Sequence, residues 1–251
     1  MTIRGGGYID NIVSYTSEKD LEVNKPVIVS QPGVVLTFDD SLVLNWNKMQ
    51  ETFKEKGAVA TFFCNRWADY SENWDVKPEE EAILKSFQDD GHEIGFHTVG
   101  HLRTTDPKYD NEPNKAQAYF DEQIAPGIAN MRERGFEPSS FSYPYISGQP
   151  AHDALIRQEL PHIRAFFAHV TLIDDPANIS LETIREHLEK IKKDKDIEVF
   201  LSHWISENPD ADSAIKYKIP KEKLIKIMDM VNELGLKFYT LEEAHNIYMN
   251  Q

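Results

Sequence analysis

"GVVLTFDDSLVLNWNKMQETFKEKGAVATFFCN", residues 33–65, reads as strand, helix and strand in immediate succession. Its first eight residues form a short apolar run ending on two acids, Asp39 and Asp40, the pattern of a buried strand. From Leu42 the apolar positions recur at helical spacing as far as Gly57, which supplies a helix cap. "AVATFFCN" (58–65) is apolar and aromatic again, so a second buried strand.

The alternation continues along the chain. "KPEEEAILKSFQDDG" (77–91) is a helix with acids in its first turn and Gly91 at its end, and "HEIGFH" (92–97) is a strand. "NKAQAYFDEQIAPGIANMRERG" (114–135) reads as a helix interrupted near Pro126, followed by a strand and turn at "PSSFSYPY" (138–145). "SLETIREHLEKIKKDKD" (180–196) is a helix with Ser180 as N-cap, and "IEVFLSHW" (197–204) is an apolar strand ending in a histidine. Residues 220–250 give helix, cap, strand and a last short helix. Such a rhythm defines an α/β protein with a parallel sheet and helices packed outside it. No internal repeat or linker divides the chain, so residues 31–251 are expected to form one domain. Residues 1–30, with a glycine triplet and a short strand at "KPVIVS" (25–30), are expected to be an N-terminal extension.

Composition excludes several function classes. A formal net charge of −15 opposes binding to nucleic acid phosphates and disfavours anionic membrane surfaces. No apolar run approaches the length of a membrane span. The first residues lack the apolar stretch of a signal peptide. A cytoplasmic location is expected if Met1 is the native start, and an extracellular or cell-envelope one if a leader precedes it. One cysteine, Cys64, rules out intramolecular disulfides and a cysteine-rich zinc site. Its apolar surroundings mark it as a buried, space-filling thiol.

In folds of this kind the chemistry lies at the carboxyl ends of the strands. Asp39 and Asp40 end one strand, His97 and His101 follow another, Tyr145 follows "FSYP", and His203 ends "VFLSH". The stretch "GFHTVGH" (95–101) is a poor helix, with glycines at 95 and 100 and β-branched residues at 98 and 99. A loop there can curl both imidazoles onto one ion. Two histidines and a carboxylate are a common ligand set for a catalytic zinc with a position left open. Adjacent acids offer one ligand and one base, provided the chain turns between them, because strand neighbours face opposite sides. Taken singly, an Asp-Asp pair is usually a solvated turn, and an H-x-x-x-H spacing can arise by chance. Their occurrence together, at successive strand ends, is what points to a site.

"VVLTFDD", "GHEIGFHTVGH", "SYPY" and "VFLSHW" resemble, in order, the motifs of the NodB-homology polysaccharide deacetylases, carbohydrate esterase family 4, over about residues 33–242. The resemblance implies a distorted (β/α) barrel and metal-dependent hydrolysis of N- or O-linked acetyl groups from an acetylated glycan or oligosaccharide. It implies that Asp39 is the general base and His203 the general acid. Asp40, His97 and His101 would hold one divalent metal ion, zinc being the first choice. Tyr145 would stabilise the oxyanion through its backbone N–H, Leu201 would help line the acetyl-methyl pocket, and Thr98 would steady the histidine loop. No oligomeric state is implied.

Two departures stand out. Ser142 occupies the place of the arginine that pairs with the base aspartate in the family. Arg66, Arg103 and Arg164 are the candidate substitutes, Arg103 first because it lies two residues beyond His101. The family's fourth motif, which supports the catalytic histidine, has no clean match; "LIDDPAN" offers Asp174 and Asp175, and Trp204 is expected to be a packed aromatic. Two alternative readings follow: an amidohydrolase or deformylase of the same superfamily acting on a small amide, and a catalytically impaired glycan-binding protein, which the missing arginine favours.

Overall fold

The computed structural model describes residues 29–67, 75–174 and 179–249. In chain order its strands are β1 (Gly33–Asp39), β2 (Ala60–Cys64), β3 (Glu93–Phe96), β4 (Ser140–Phe141), β5 (His162–Ile163), β6 (Val170–Leu172), β7 (Ile197–Ser202), β8 (Trp204–Ser206), β9 (Lys218–Pro220) and β10 (Lys237–Tyr239). The helices are α1 (Val43–Trp46), α2 (Gln50–Lys56), α3 (Pro78–Asp89), α4 (Pro113–Tyr119), α5 (Ala125–Glu133), α6 (Pro150–Ile156), α7 (Leu181–Asp194), α8 (Lys221–Glu233) and α9 (Leu241–Met249).

Every residue of β1 is buried, because the strand lies at the centre of the sheet. The order is β5-β4-β3-β2-β1-β7-β6, all parallel, with β10 beside the first half of β1 and β2 beside its second half. The sheet curls into the distorted (β/α) barrel expected from the sequence, open between β5 and β6, with β8 and β9 forming a separate pair.

Alternation along β1 gives its two faces different work. Val34, Leu36 and Phe38 pack towards the helices in the larger apolar cluster, with Leu84 and Phe87 of α3, Leu188 of α7 and Ile227 of α8. Val35 joins the smaller cluster inside the curl, with Phe63, Val199 and Tyr239, closed at one end by Leu241 and Ala244 of α9. Thr37 and Asp39 continue that inner face towards the carboxyl rim. The strand thus aims Asp39 into the barrel.

The local signals behave as their chemistry requires. Gly57 caps α2 at φ 61°, and Ser180 accepts the Thr183 N–H at 3.0 Å at the start of α7. The helix expected from Leu42 to Gly57 is instead α1, a 3₁₀ turn at Asn47–Met49, and α2. Asn45 fixes the first of these by bonding both Ile205 O and Ile205 N at 2.8 Å. The interruption near Pro126 is a π turn at Phe120–Ile124 between α4 and α5. Proline has no N–H to donate to the preceding turn, so the hydrogen-bond ladder loosens before it. Gly127 brings α5 against β3, where a Cβ would lie 2.3 Å from the Phe96 ring.

The sequence reading did not resolve β5, β6, β8, β9 or α6, all of them short. The strand expected at 25–30 and the extension at 1–30 lie outside the described residues, apart from Val29 and Ser30; Val29 N–H donates to Lys195 O at 2.9 Å. Cys64 is fully buried, as expected, and burial pushes its thiol pKa up. No helix among the described residues is long and apolar enough to cross a membrane.

The aromatic cluster under β2 contains a histidine that carries no positive charge. His92 sits edge-on to Phe53, Phe62 and Phe87, and its Nδ1 accepts the Ala60 N–H at 3.0 Å. Burial pulls its pKa from 6.5 to about 4. Between these values the unfolded chain takes up a proton that the folded protein refuses. Stability is therefore whole above about pH 6.5 and falls as pH drops towards 4, by at most ~3 kcal/mol from this group. His92→Asn keeps an acceptor near the Nδ1 position and cannot titrate. Its unfolding free energy, lower overall for loss of the ring, should fall less steeply over this range in urea titrations. Parallel slopes would remove His92 as the cause.

Candidate active site

Backbone conformation at the carboxyl rim is unlike that elsewhere. Among the described residues eight non-glycine positions have positive φ, and all but Lys195 are here: Asp40, Ser41, Arg66, Thr98, His101, Tyr145 and Ile146. Each such position costs roughly 1–3 kcal/mol and persists only where its surroundings impose it. At Asp40, φ of 82° supplies the turn that two adjacent acids need to serve one site.

That turn places Asp40 between the two histidines. Its Oδ1 lies 3.0 Å from His101 Nε2 and 3.4 Å from His97 Nε2. The donor atoms of Asp40, His97 and His101 all fall within 4.8 Å of one another. His97 Nδ1 is 2.7 Å from the Ser142 carbonyl oxygen, so that nitrogen carries the hydrogen and Nε2 presents its lone pair inward. Asp40 Oδ1 is buried and has no hydrogen-bond partner. Lone pairs converging on a buried, unsatisfied carboxylate oxygen fit a cation, and the His₂–carboxylate set suits zinc.

The histidine loop is pinned by its own backbone. His97 N–H donates to Cys64 O at 2.9 Å, and His101 N–H to Thr98 Oγ1 at 3.0 Å, the steadying role expected of Thr98. Val99 N–H and Gly100 N–H reach the carbonyl and side-chain oxygens of Gln123, at 3.1 and 2.9 Å. Gln123 sits in the π turn, so the irregular helix end serves the loop.

Asp39 has an arginine after all. Arg164, immediately beyond β5, donates from both terminal nitrogens to the two carboxylate oxygens at 2.7 Å each. Arg164 is 4% exposed and Asp39 3%, and the guanidinium also donates to Thr37 Oγ1 at 3.1 Å. Burial raises the Asp39 pKa, but Arg164 and then His97 bring it below its ordinary value. Ser142 Oγ approaches Asp39 Oδ2 only at 3.4 Å. The expectation that Arg103 comes first is therefore corrected: its guanidinium lies 3.9 Å from the centre of the Tyr145 ring. Arg66 pairs with Glu80 at 3.0 Å.

His203 follows β7 and has its own carboxylate. Asp174 Oδ2 lies 3.1 Å from His203 Nδ1 and accepts the His203 N–H at 2.7 Å. Trp46 Nε1 donates to His203 O at 2.8 Å. Burial pulls the His203 pKa down, but Asp174, with Asp39 and Asp40 nearby, holds it above its ordinary value. Tyr217, which the sequence reading passed over, lies with its ring 5.3 Å from that of His203. Tyr145 sits in the 3₁₀ turn Pro144–Ile146 with its ring 4.7 Å from His101. The turn uses the N–H groups of Ile146 and Ser147, so it offers no internal partner to Tyr145 N–H. Leu201 is buried two residues before His203.

A family model described as polysaccharide deacetylase matches residues 27–160, and the chain belongs to that family. No curated protein matches it in sequence. Among solved structures, a Streptococcus mutans CE4 esterase is 18% identical, with a TM-score of 0.60 over 88% of this chain and 90% of the other. The peptidoglycan deacetylase PdaC of Bacillus subtilis is 17% identical, with a TM-score of 0.58 over 88% and 93%. A family 4 acetyl xylan esterase from Clostridium thermocellum, in complex with a cobalt ion, is 19% identical, with a TM-score of 0.54 over 85% and 90%. At these identities the likeness is one of fold.

Two outcomes follow from the geometry. His97→Ala and His101→Ala should each abolish stoichiometric divalent metal in elemental analysis of the purified protein; full occupancy in both variants would remove the assignment. Arg164→Met, which leaves a buried carboxylate unpaired, should lower the unfolding free energy by about 3–5 kcal/mol. Arg103→Met, at an exposed position, should cost within about 0.5 kcal/mol.

Proposed function

We propose that this protein is a metal-dependent hydrolase that removes acetyl groups, N- or O-linked, from a carbohydrate. The observation that carries the reading is that both proton-transfer groups are individually held, Asp39 by Arg164 and His203 by Asp174, beside one triad of metal-ligating donors. Asp40, His97 and His101 would hold the ion, zinc being the one proposed. A divalent ion in such a set supplies Lewis-acid polarisation of a carbonyl and acidifies water.

The chain's own residues divide the rest of the reaction. Asp39, kept ionised and oriented by the guanidinium fork, takes the proton from the attacking water. Tyr145 N–H donates to the oxygen on which negative charge develops. His203, held at Nδ1 by Asp174, gives a proton from Nε2 to the departing nitrogen or oxygen as its bond to the acyl carbon breaks. Leu201 would pack against the acetyl methyl. The presence of Arg164 removes the feature that favoured a catalytically impaired binding protein.

Asp39→Asn and His203→Ala should each lower turnover on acetylated glycans by on the order of 100-fold or more, with metal retained, as read by acetate release and elemental analysis. Asp174→Asn gives a sharper test of the acid. It removes the charge that raises the His203 pKa, so His203 loses its proton at lower pH. The alkaline limb of kcat/KM should move down accordingly. An alkaline limb that stays in place would mean that another group donates the proton.

A further inference from the structure

The strand pair β8–β9 stands apart from the main sheet, yet β8 begins at Trp204, the residue after His203. Its strands run parallel, Trp204 opposite Lys218, Ile205 opposite Ile219 and Ser206 opposite Pro220. Carried one residue back, that register sets Tyr217 opposite His203, with both side chains leaving on one side. The two rings do meet there. Their centres are 5.3 Å apart and their planes 35° from parallel, within the range in which aromatic rings attract.

The pair that carries Tyr217 is firmly held. Ile205 and Ile219 are buried in the larger apolar cluster, and Asn45 bonds Ile205 through both N and O. Asp212 Oδ2 accepts Trp204 Nε1 at 3.2 Å and Ser206 Oγ at 2.6 Å. Lys218 Nζ donates to Asp212 O at 2.9 Å and Ile215 O at 3.1 Å, which ties the intervening loop to both strands. Tyr217 itself is 39% exposed, so its ring adds little to the core. Its hydroxyl bonds none of the described residues, and Lys216 Nζ lies 4.9 Å from the centre of its ring. What the ring covers is the imidazole.

His203 needs such a cover. Asp174 Oδ2 holds Nδ1 at 3.1 Å, but one hydrogen bond fixes a point and leaves the imidazole plane free to swing about it. A ring against the imidazole face removes that freedom, and its π electrons favour the protonated form that a proton donor must adopt. We propose that Tyr217 is a positioning residue for the acid: its ring, delivered by β8–β9, fixes the plane of His203 so that Nε2 faces the departing atom. This rests on the deacetylase reading, and it gives the separate strand pair a task in the reaction.

The test turns on the leaving group. An amine or alkoxide departs with a proton from His203, whereas 4-nitrophenolate departs without one. In steady-state kinetics of the metal-loaded protein, Tyr217→Leu should lower kcat on an acetylated glycan roughly 5- to 20-fold with KM kept, part of the 100-fold or more that the acid supplies. Its kcat on 4-nitrophenyl acetate should stay within about 2-fold of wild type. Tyr217→Phe, which keeps the ring, should recover the loss on the glycan. An unchanged kcat, an equal loss on both substrates, a raised KM for the glycan with kcat kept, or no recovery with phenylalanine would overturn the proposal. Tyr217→Gln carries the same test should Tyr217→Leu fail to fold. Absence of acetate release from any glycan by the wild-type protein would overturn the deacetylase reading, and the role of Tyr217 with it.

Discussion

The ion pair between Arg164 and Asp39 depends on the curvature of the whole sheet. Arg164 follows β5 at one edge of the sheet, and Asp39 ends β1 in its middle, with β4, β3 and β2 between them. In a flat sheet four strand spacings would separate those ends by about 19 Å, well beyond an arginine's reach. The 2.7 Å contacts exist because the sheet rolls until β5 faces β1 across the interior. The guanidinium then lies 5.2 Å from the centre of the Phe63 ring and bonds Thr37, so it is a core residue as much as a site residue. Burying two charges gains little net stability by itself. What the pair secures is the direction of one carboxylate.

The outline of the fold was legible because strong local signals agreed with one another. Buried runs ended on acids or histidines, helices began at Ser180 and stopped at Gly57 and Gly91, and Pro126 announced a break. Asp40, His97 and His101 were legible as a set for a related reason: each sits at a strand end where the motifs place it. The shortest elements were not. "HIRAFF" (162–167) holds a two-residue strand, too brief for any period to show, so nothing ranked Arg164 above the other two candidate arginines. Arg103, close in sequence to His101, looked the better partner. Nearness along the chain was a poor guide where curvature decided the contact.

A similar gap surrounded His203. Asp174 was visible in "LIDDPAN", but β6 was not, and its pairing with β7 is what brings that segment alongside the histidine. Trp204 was expected to be packed, and only part of that holds: its N–H is anchored and its ring borders a cavity. Positive φ at non-glycine positions was also invisible from residue types, since Thr98 and Ile146 are β-branched and resist that conformation. These positions mark where the fold accepts strain to point groups inward, supported by a sheet whose central strand is wholly buried.

The pairing of β1 has a consequence for how the chain comes to be made. The strand stands near the beginning of the sequence, yet two of its three partners are β7 and β10, close to the other end. Of the described strands β1 emerges first during synthesis, and β2 can cover only part of one edge. Its other edge and its first three residues wait, with apolar faces exposed, until β7 and β10 have left the ribosome. Contacts of such long sequence separation make folding slow and the waiting strand prone to pair with its own kind. Production of this protein is thus expected to depend on translation rate and chaperone supply more than on the stability of the finished barrel.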